Sequence, residues 1–220
     1  MSLTADVDQC KYCFDELYQY LISSRPGSSS LPTSNIIMNL FPESPPLTPL
    51  FVTWEKKKQL LGHGSDSNGN DDVQWNLRGC IGTLQPADLR VSLKQYALHS
   101  ALQDRRFKPI TLDELPMLRV GVSLLIQFEE CEKGCYDWEV GRHGIIIEFA
   151  NGGRNYNATY LPEVASEHGM TKEVAVESLV RKAGYRGKVD AKLLSSIKTT
   201  RYQSSKAKVT HDEWRATALA

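Results

Sequence analysis

Leu118-Arg119-Val120-Gly121-Val122-Ser123-Leu124-Leu125-Ile126-Gln127-Phe128 is the stretch on which the fold turns. Alternate residues of a strand project to opposite faces. The period of two therefore predicts a strand with Leu118, Val120, Val122, Leu124, Ile126 and Phe128 on one buried face. Downstream, an acidic loop leads to a strand over 144–149, a turn at Asn151-Gly152-Gly153 and a strand over 155–161, which together read as a hairpin. Upstream, Leu50 to Trp54 alternates in the same way. Val73 to Leu84 reads as a strand that ends in a Gly-Thr-Leu-Gln-Pro turn, and a last strand is expected near 200–209.

Helical spacing fills the rest. Val7, Cys10, Phe14, Leu17 and Leu21 recur at helical intervals over 7–22, with Asp6 placed to cap. Asp88 caps a helix to about Gln103, with Leu89, Leu93, Tyr96, Ala97 and Ala101 inward. Thr111-Leu112-Asp113-Glu114 is a capping-box pattern before a short helix that Pro116 stops. Further helices are expected over 162–168, over 171–183 before Gly184, and over 190–198. Strands and helices mix, and strand pairs follow one another without a helix between. The expected fold is α/β, with a mixed, largely antiparallel sheet flanked by helices.

A length of 220 residues fits one domain, or one domain of two lobes. Residues 24–49 are dense in Ser and Pro and are expected as a surface loop, with Ile36, Ile37, Met38, Leu40 and Phe41 pinning it to the core. Residues 62–72 are expected as a polar, flexible loop. Hydrophobic residues make up 41% and charged residues 24%, and the net charge is zero. That balance gives no global pull towards nucleic acid or acidic lipid. No signal peptide, membrane span, myristoylation or prenylation pattern is read. The five cysteines are expected as reduced thiols in the cytoplasm or nucleus, and the Asn157-Ala158-Thr159 sequon is discounted there.

One strand carries unusual residues: Asn76-Leu77-Arg78-Gly79-Cys80-Ile81-Gly82-Thr83-Leu84-Gln85-Pro86. Strict alternation sets Asn76, Arg78 and Cys80 on one face, with Arg78 and Cys80 about 7 Å apart by strand rise. A guanidinium at that distance favours thiolate, the nucleophilic form of cysteine. Gly79 and Gly82 clear room for a ligand or another backbone. The structural alternative is a core cysteine, glycines that bulge the strand, and an Arg78 paired to an internal carboxylate. His143, between Gly141-Arg142 and Gly144, is the expected base for Cys80; its alternative is a histidine that closes a turn. Glu139, Glu148 and Glu163 are candidate acids or orienting carboxylates. Arg106 and Lys108, beside Phe107, are candidates for an anionic ligand. Cys10-x-x-Cys13 lies on a helix face with Phe14 and Leu17, and Cys131 and Cys135 have loose spacing, so no metal site is expected. No phosphate loop or dinucleotide fingerprint is present.

Leu77-Arg78-Gly79-Cys80-Ile81-Gly82 resembles the signature of the AMMECR domain family, named for the Alport syndrome, mental retardation, midface hypoplasia and elliptocytosis chromosomal region. Similar blocks follow in order: Leu50 to Trp54, Asp104 to Pro109, Asp113 to Pro116, Val122 to Leu125, Asp137 to Ile145, Ala158 to Ala165, Arg181 to Tyr185 and Thr200 to Tyr202. Tyr12-Cys13-Phe14-Asp15 looks like the eukaryotic branch. The resemblance covers about residues 5–210. It implies an intracellular α/β protein of two subdomains, with the signature near the cleft between them. It implies no settled activity; related prokaryotic domains occur beside Memo-type and radical-SAM proteins, an association only.

The leading functional expectation is a small-molecule or nucleotide-related enzyme, with Cys80 and His143 as catalytic candidates. Arg78, Gly79, Gly82, Arg106, Glu139 and Glu163 are its binding candidates. The alternatives are a non-catalytic interaction or adaptor module and, third, a nucleic-acid-associated protein. The sequence identifies no cofactor. The expected partner is an unknown small molecule or protein, not a membrane, and nucleic acid is disfavoured.

Overall fold

A computed structural model describes residues 3–24, 46–58 and 73–218. Most of the expected 24–49 loop and all of the expected 62–72 loop lie outside the described residues. Where the first of these is described, it ends early: the first strand already begins at Leu47, because Leu47 and Thr48 pair with Asp88 and Ala87. The chain divides into two compact units, one of residues 1–124 and 206–220 and one of 125–205.

In the first unit, α1 (Val7–Ser23) opens with a capping box: the Asp6 carboxylate accepts from the Gln9 N–H at 2.8 Å, and the Gln9 side chain accepts from the Asp6 N–H. Cys10, Cys13, Phe14 and Leu17 are wholly buried on one face. Burial pushes the Cys10 thiol up to about 12 and the Cys13 thiol well above its ordinary value. Both cysteines therefore behave as small core groups. The strands β1 (Leu47–Lys57), β2 (Trp75–Asp88) and β3 (Leu118–Glu130) form antiparallel pairs on either side of β1. The helix α2 (Leu89–Leu102) starts at an Asp88 cap and is tied to β1 by the buried Trp54, whose indole N–H donates to the Ala97 carbonyl at 3.0 Å.

A short 3-10 helix, Leu112–Met117, precedes β3. A terminal helix, α6 (His211–Ala218), was not expected, although Thr210-x-x-Glu213 is itself a capping-box spacing. Its Trp214 stacks on Phe14 at 5.2 Å and donates to Asp15 at 2.8 Å.

In the second unit, β4 (Gly144–Asn151) and β5 (Arg154–Tyr160) form the expected hairpin, and β6 (Lys198–Thr210) pairs with β4. Gly152 and Gly153 both have positive φ, 58° and 76°, which a tight two-residue turn needs and glycine accepts freely. The helices α3 (Pro162–Glu167), α4 (Lys172–Lys182) and α5 (Ala191–Ser196) cover a core that includes Ile145, Ile147, Val176 and Leu179. The strand order is β2-β1-β3-β6-β4-β5, and each pairing named above is antiparallel. The fold is thus α/β, an antiparallel sheet with helices packed on it.

The opening stretch departs from its expected pattern at its end. Leu118, Val120, Val122 and Leu124 are buried as alternation requires, but so is Leu125. Gln127 takes φ 54°, a left-handed conformation that breaks the alternation. Phe128 is consequently not a core residue; it is 40% exposed and stacks on Tyr202 at 5.1 Å.

Candidate functional site

Register decides what surrounds Cys80. Thr53 pairs with Cys80, Trp54 with Gly79 and Glu55 with Leu77, so Arg78 is an extra residue in β2. Such a bulge interrupts the alternation. Gly79 lies opposite Trp54 on the α2 side, where a Cβ would run into the Ser100 carbonyl oxygen. Gly82 is crowded in the same way by the Leu50 carbonyl. The close approach at both glycines is therefore made by the chain's own backbone.

The expected pairing of Arg78 with Cys80 is corrected by these contacts. Arg78 forks onto Glu114, through Nε at 3.1 Å and Nη2 at 3.0 Å, and Lys56 reaches the same carboxylate at 2.8 Å. Burial alone would raise the pKa of Glu114; Arg78, Lys56 and the Thr111 N–H overcome it and hold the carboxyl at about 2. Arg78 Nη1 is buried and has no hydrogen-bond partner among the described residues.

The guanidinium beside Cys80 is that of Arg106. Cys80 is half-buried on β2, which ends the strand order. Its N–H donates to Asp104 Oδ2 at 2.9 Å, and its carbonyl accepts from Arg106 Nη2 at 3.2 Å. Arg106 closes the ring by forking onto Asp104, with Nε at 2.9 Å and Nη2 at 2.7 Å. An ion pair thus occupies the edge of β2 at Cys80, where an unpaired N–H and carbonyl would otherwise stand. Hydrogen bonding from Arg106 holds the Asp104 carboxyl far below the usual carboxylate range, against the effect of its burial. The Cys80 sulfur accepts from the Thr53 hydroxyl at 3.1 Å. The Thr53 hydroxyl and the Arg106 guanidinium favour charge on sulfur, and the Asp104 carboxylate opposes it.

Asp104, Glu114, Thr53 and Lys56 were not among the expected site residues. Asp104 and Glu114 carried one signal, an acidic residue beside an arginine-rich loop or in a capping box, but nothing local said which backbone they would meet.

His143, Glu139 and Glu163 belong to the second unit. His143 Nδ1 accepts from the Glu139 N–H at 3.0 Å, and the His143 N–H returns to the Glu139 carbonyl at 3.0 Å. The ring therefore closes a turn and carries its proton on Nε2. Burial, then Arg142 and Arg201, lower its pKa, so it is neutral at pH 7. Glu139 is exposed and pairs with Arg142, Glu148 is exposed on β4, and Glu163 stands half-buried in the first turn of α3. Burial raises the thiols of Cys131 and Cys135.

The AMMECR1 family model matches residues 10–207. The chain belongs to the AMMECR1 family. An uncharacterised protein of Arabidopsis thaliana is 41% identical over 214 residues, covering 96% of this chain and 88% of its own length. An uncharacterised protein of Saccharomyces cerevisiae is 35% identical, with 92% and 85% covered. The crystal structure of an uncharacterised Pyrococcus horikoshii protein matches with a TM-score of 0.62 at 25% identity, covering 93% of each chain. AMMECR1 membership thus sets family and fold, and these relatives bring no activity with them. Among the described residues no helix is long and apolar enough to cross a membrane.

Proposed function

We propose that this AMMECR1-family chain is a small-molecule enzyme of the cytoplasm or nucleus in which Cys80 is the nucleophile. One observation carries the reading: the Cys80 sulfur accepts a hydroxyl hydrogen bond from Thr53, while its own peptide group is clamped between Asp104 and Arg106. A thiol held in this way meets an electrophilic carbon without a search through rotamers. Thr53 and Arg106 favour the thiolate, so no neighbouring base is required for the attack. His143 has no part in this reading, because its Nδ1 is engaged within its own turn.

The four other cysteines have raised pKa values and supply internal controls. With limiting iodoacetamide at pH 7, Cys80 is expected to alkylate about tenfold faster than a small reference thiol, a gain that reflects its thiolate fraction. Thr53→Val is expected to remove a severalfold part of that gain. Mass spectrometry of the peptides gives the rates. A Cys80 rate at or below that of the reference thiol sinks the proposal.

A further inference from the structure

Arg106 is held in place by only part of its donor set. A guanidinium has five N–H groups. Nε donates to Asp104 Oδ1, and Nη2 donates to Asp104 Oδ2 and the Cys80 carbonyl. Nη1 engages nothing among the described residues, and the side chain is 57% exposed. The Arg106 guanidinium also lies 5.5 Å from the Phe107 ring centroid, which restricts it further. The result is a cation fixed in orientation, with one edge open, next to a half-buried sulfur.

The charge around this edge favours an anion. Arg105 and Lys108 are exposed in the same loop, and neither forms an ion pair among the described residues. Arg78 lies 6.0 Å from the same Phe107 ring, and its buried Nη1 has no partner among the described residues. The nearby carboxylates are already engaged, Asp104 by Arg106 and Cys80, Glu114 by Arg78 and Lys56. A buried donor without a partner is costly and rare. Arg78 and Lys56 share the single carboxylate of Glu114, so that group of charges stays net positive. A preorganised guanidinium edge that its own ion pair leaves open suits a planar or tetrahedral oxyanion.

We propose that the open Nη1 edge of Arg106 is an anion seat, and that the site takes small electrophiles that carry a carboxylate or phosphate close to the carbon attacked by Cys80. This rests on the reading of Cys80 as nucleophile and adds the substrate class to it. The anionic group binds the guanidinium, and the reacting carbon is brought to sulfur. The loop cations raise the local concentration of such molecules.

Iodoacetate and iodoacetamide separate the two claims, because they share the reacting CH2 and the leaving group and differ in the charge beside them; the reference thiol removes their difference in intrinsic reactivity. In both, the Cys80 sulfur forms a bond to the CH2 carbon as the carbon–iodine bond breaks, and iodide leaves with the electron pair. The ratio of the iodoacetate rate to the iodoacetamide rate at Cys80 is expected to exceed that of N-acetylcysteine amide by about tenfold, the scale of one charge-assisted contact. Inorganic phosphate at fixed ionic strength is expected to slow iodoacetate more than iodoacetamide. In Arg106→Gln the ratio is expected to fall to that of the reference thiol.

A rapid Cys80 with the ratio of the reference thiol, or with no selective effect of phosphate, overturns the anion seat and leaves the nucleophile standing. A ratio unchanged in a folded Arg106→Gln protein overturns the seat as well. A Cys80 slow towards both reagents overturns the nucleophile itself. Should Arg106→Gln fail to fold, the two measurements on the unaltered chain decide.

Discussion

Gly79→Ala is expected to destabilise the first unit strongly. The added Cβ would collide with the Ser100 carbonyl oxygen at the end of α2, and backbone cannot yield as a flexible side chain can. Overpacking of this kind costs about 1–3 kcal/mol where side chains give way, and more where backbone must move. The collision also pushes α2 away from β1, where Trp54 is bonded to Ala97. We expect a loss of at least about 3 kcal/mol, a large share of the stability of a domain. Urea unfolding followed by tryptophan fluorescence measures it directly, since Trp54 and Trp214 are buried in this unit. A Gly79→Ala protein within about 1 kcal/mol of the parent would show that α2 shifts without penalty.

Glu114→Gln is the second large effect, and it carries a pH signature. Glu114 is the shared counter-ion of Arg78, only 12% exposed, and of Lys56, 34% exposed. Removing one partner of a buried pair leaves a cation without compensation and costs about 3–5 kcal/mol. Solvent at Lys56 screens part of that, so about 2–4 kcal/mol is expected. The direction with pH follows from the depressed carboxyl. Its folded value is about 2 against an ordinary 4.5, so its stabilisation is complete above pH 4.5 and is lost as pH falls towards 2. The stability difference between parent and Glu114→Gln is therefore expected to be constant from pH 5 to 7 and to shrink steadily below pH 4.5. Denaturant melts at pH 7, 4 and 3 test this, and a difference independent of pH would contradict it.

The two variants also divide the candidate site into parts. Gly79 and Glu114 belong to the framework that holds β2 and its bulge, and their loss is read in stability. In the proposed reading Cys80, Thr53 and Arg106 carry the chemistry, and their substitution is read in alkylation rates. Asp104 joins the two, because it accepts the Cys80 N–H and orients Arg106.

Local patterns made much of the fold legible. The alternation over 118–124, the caps at Asp6 and Asp88, the glycine turn at 152–153 and the stop at Gly184 each act within a few residues, and each stands where expected. So did the family, through blocks spread along most of the chain. The sequence by itself also singled out the strand containing Cys80. What it left open was the company that Cys80 keeps. That depended on one extra residue in β2, which takes Arg78 to Glu114, 36 positions away, and leaves the Cys80 peptide to Asp104, 24 positions away. A register shift costs little locally and leaves no mark in composition, yet it changes the face on which every later side chain lies. Periodicity reports which residues are apolar and near in sequence; only the tertiary structure brings a loop carboxylate to a strand edge and decides which guanidinium attends the thiol.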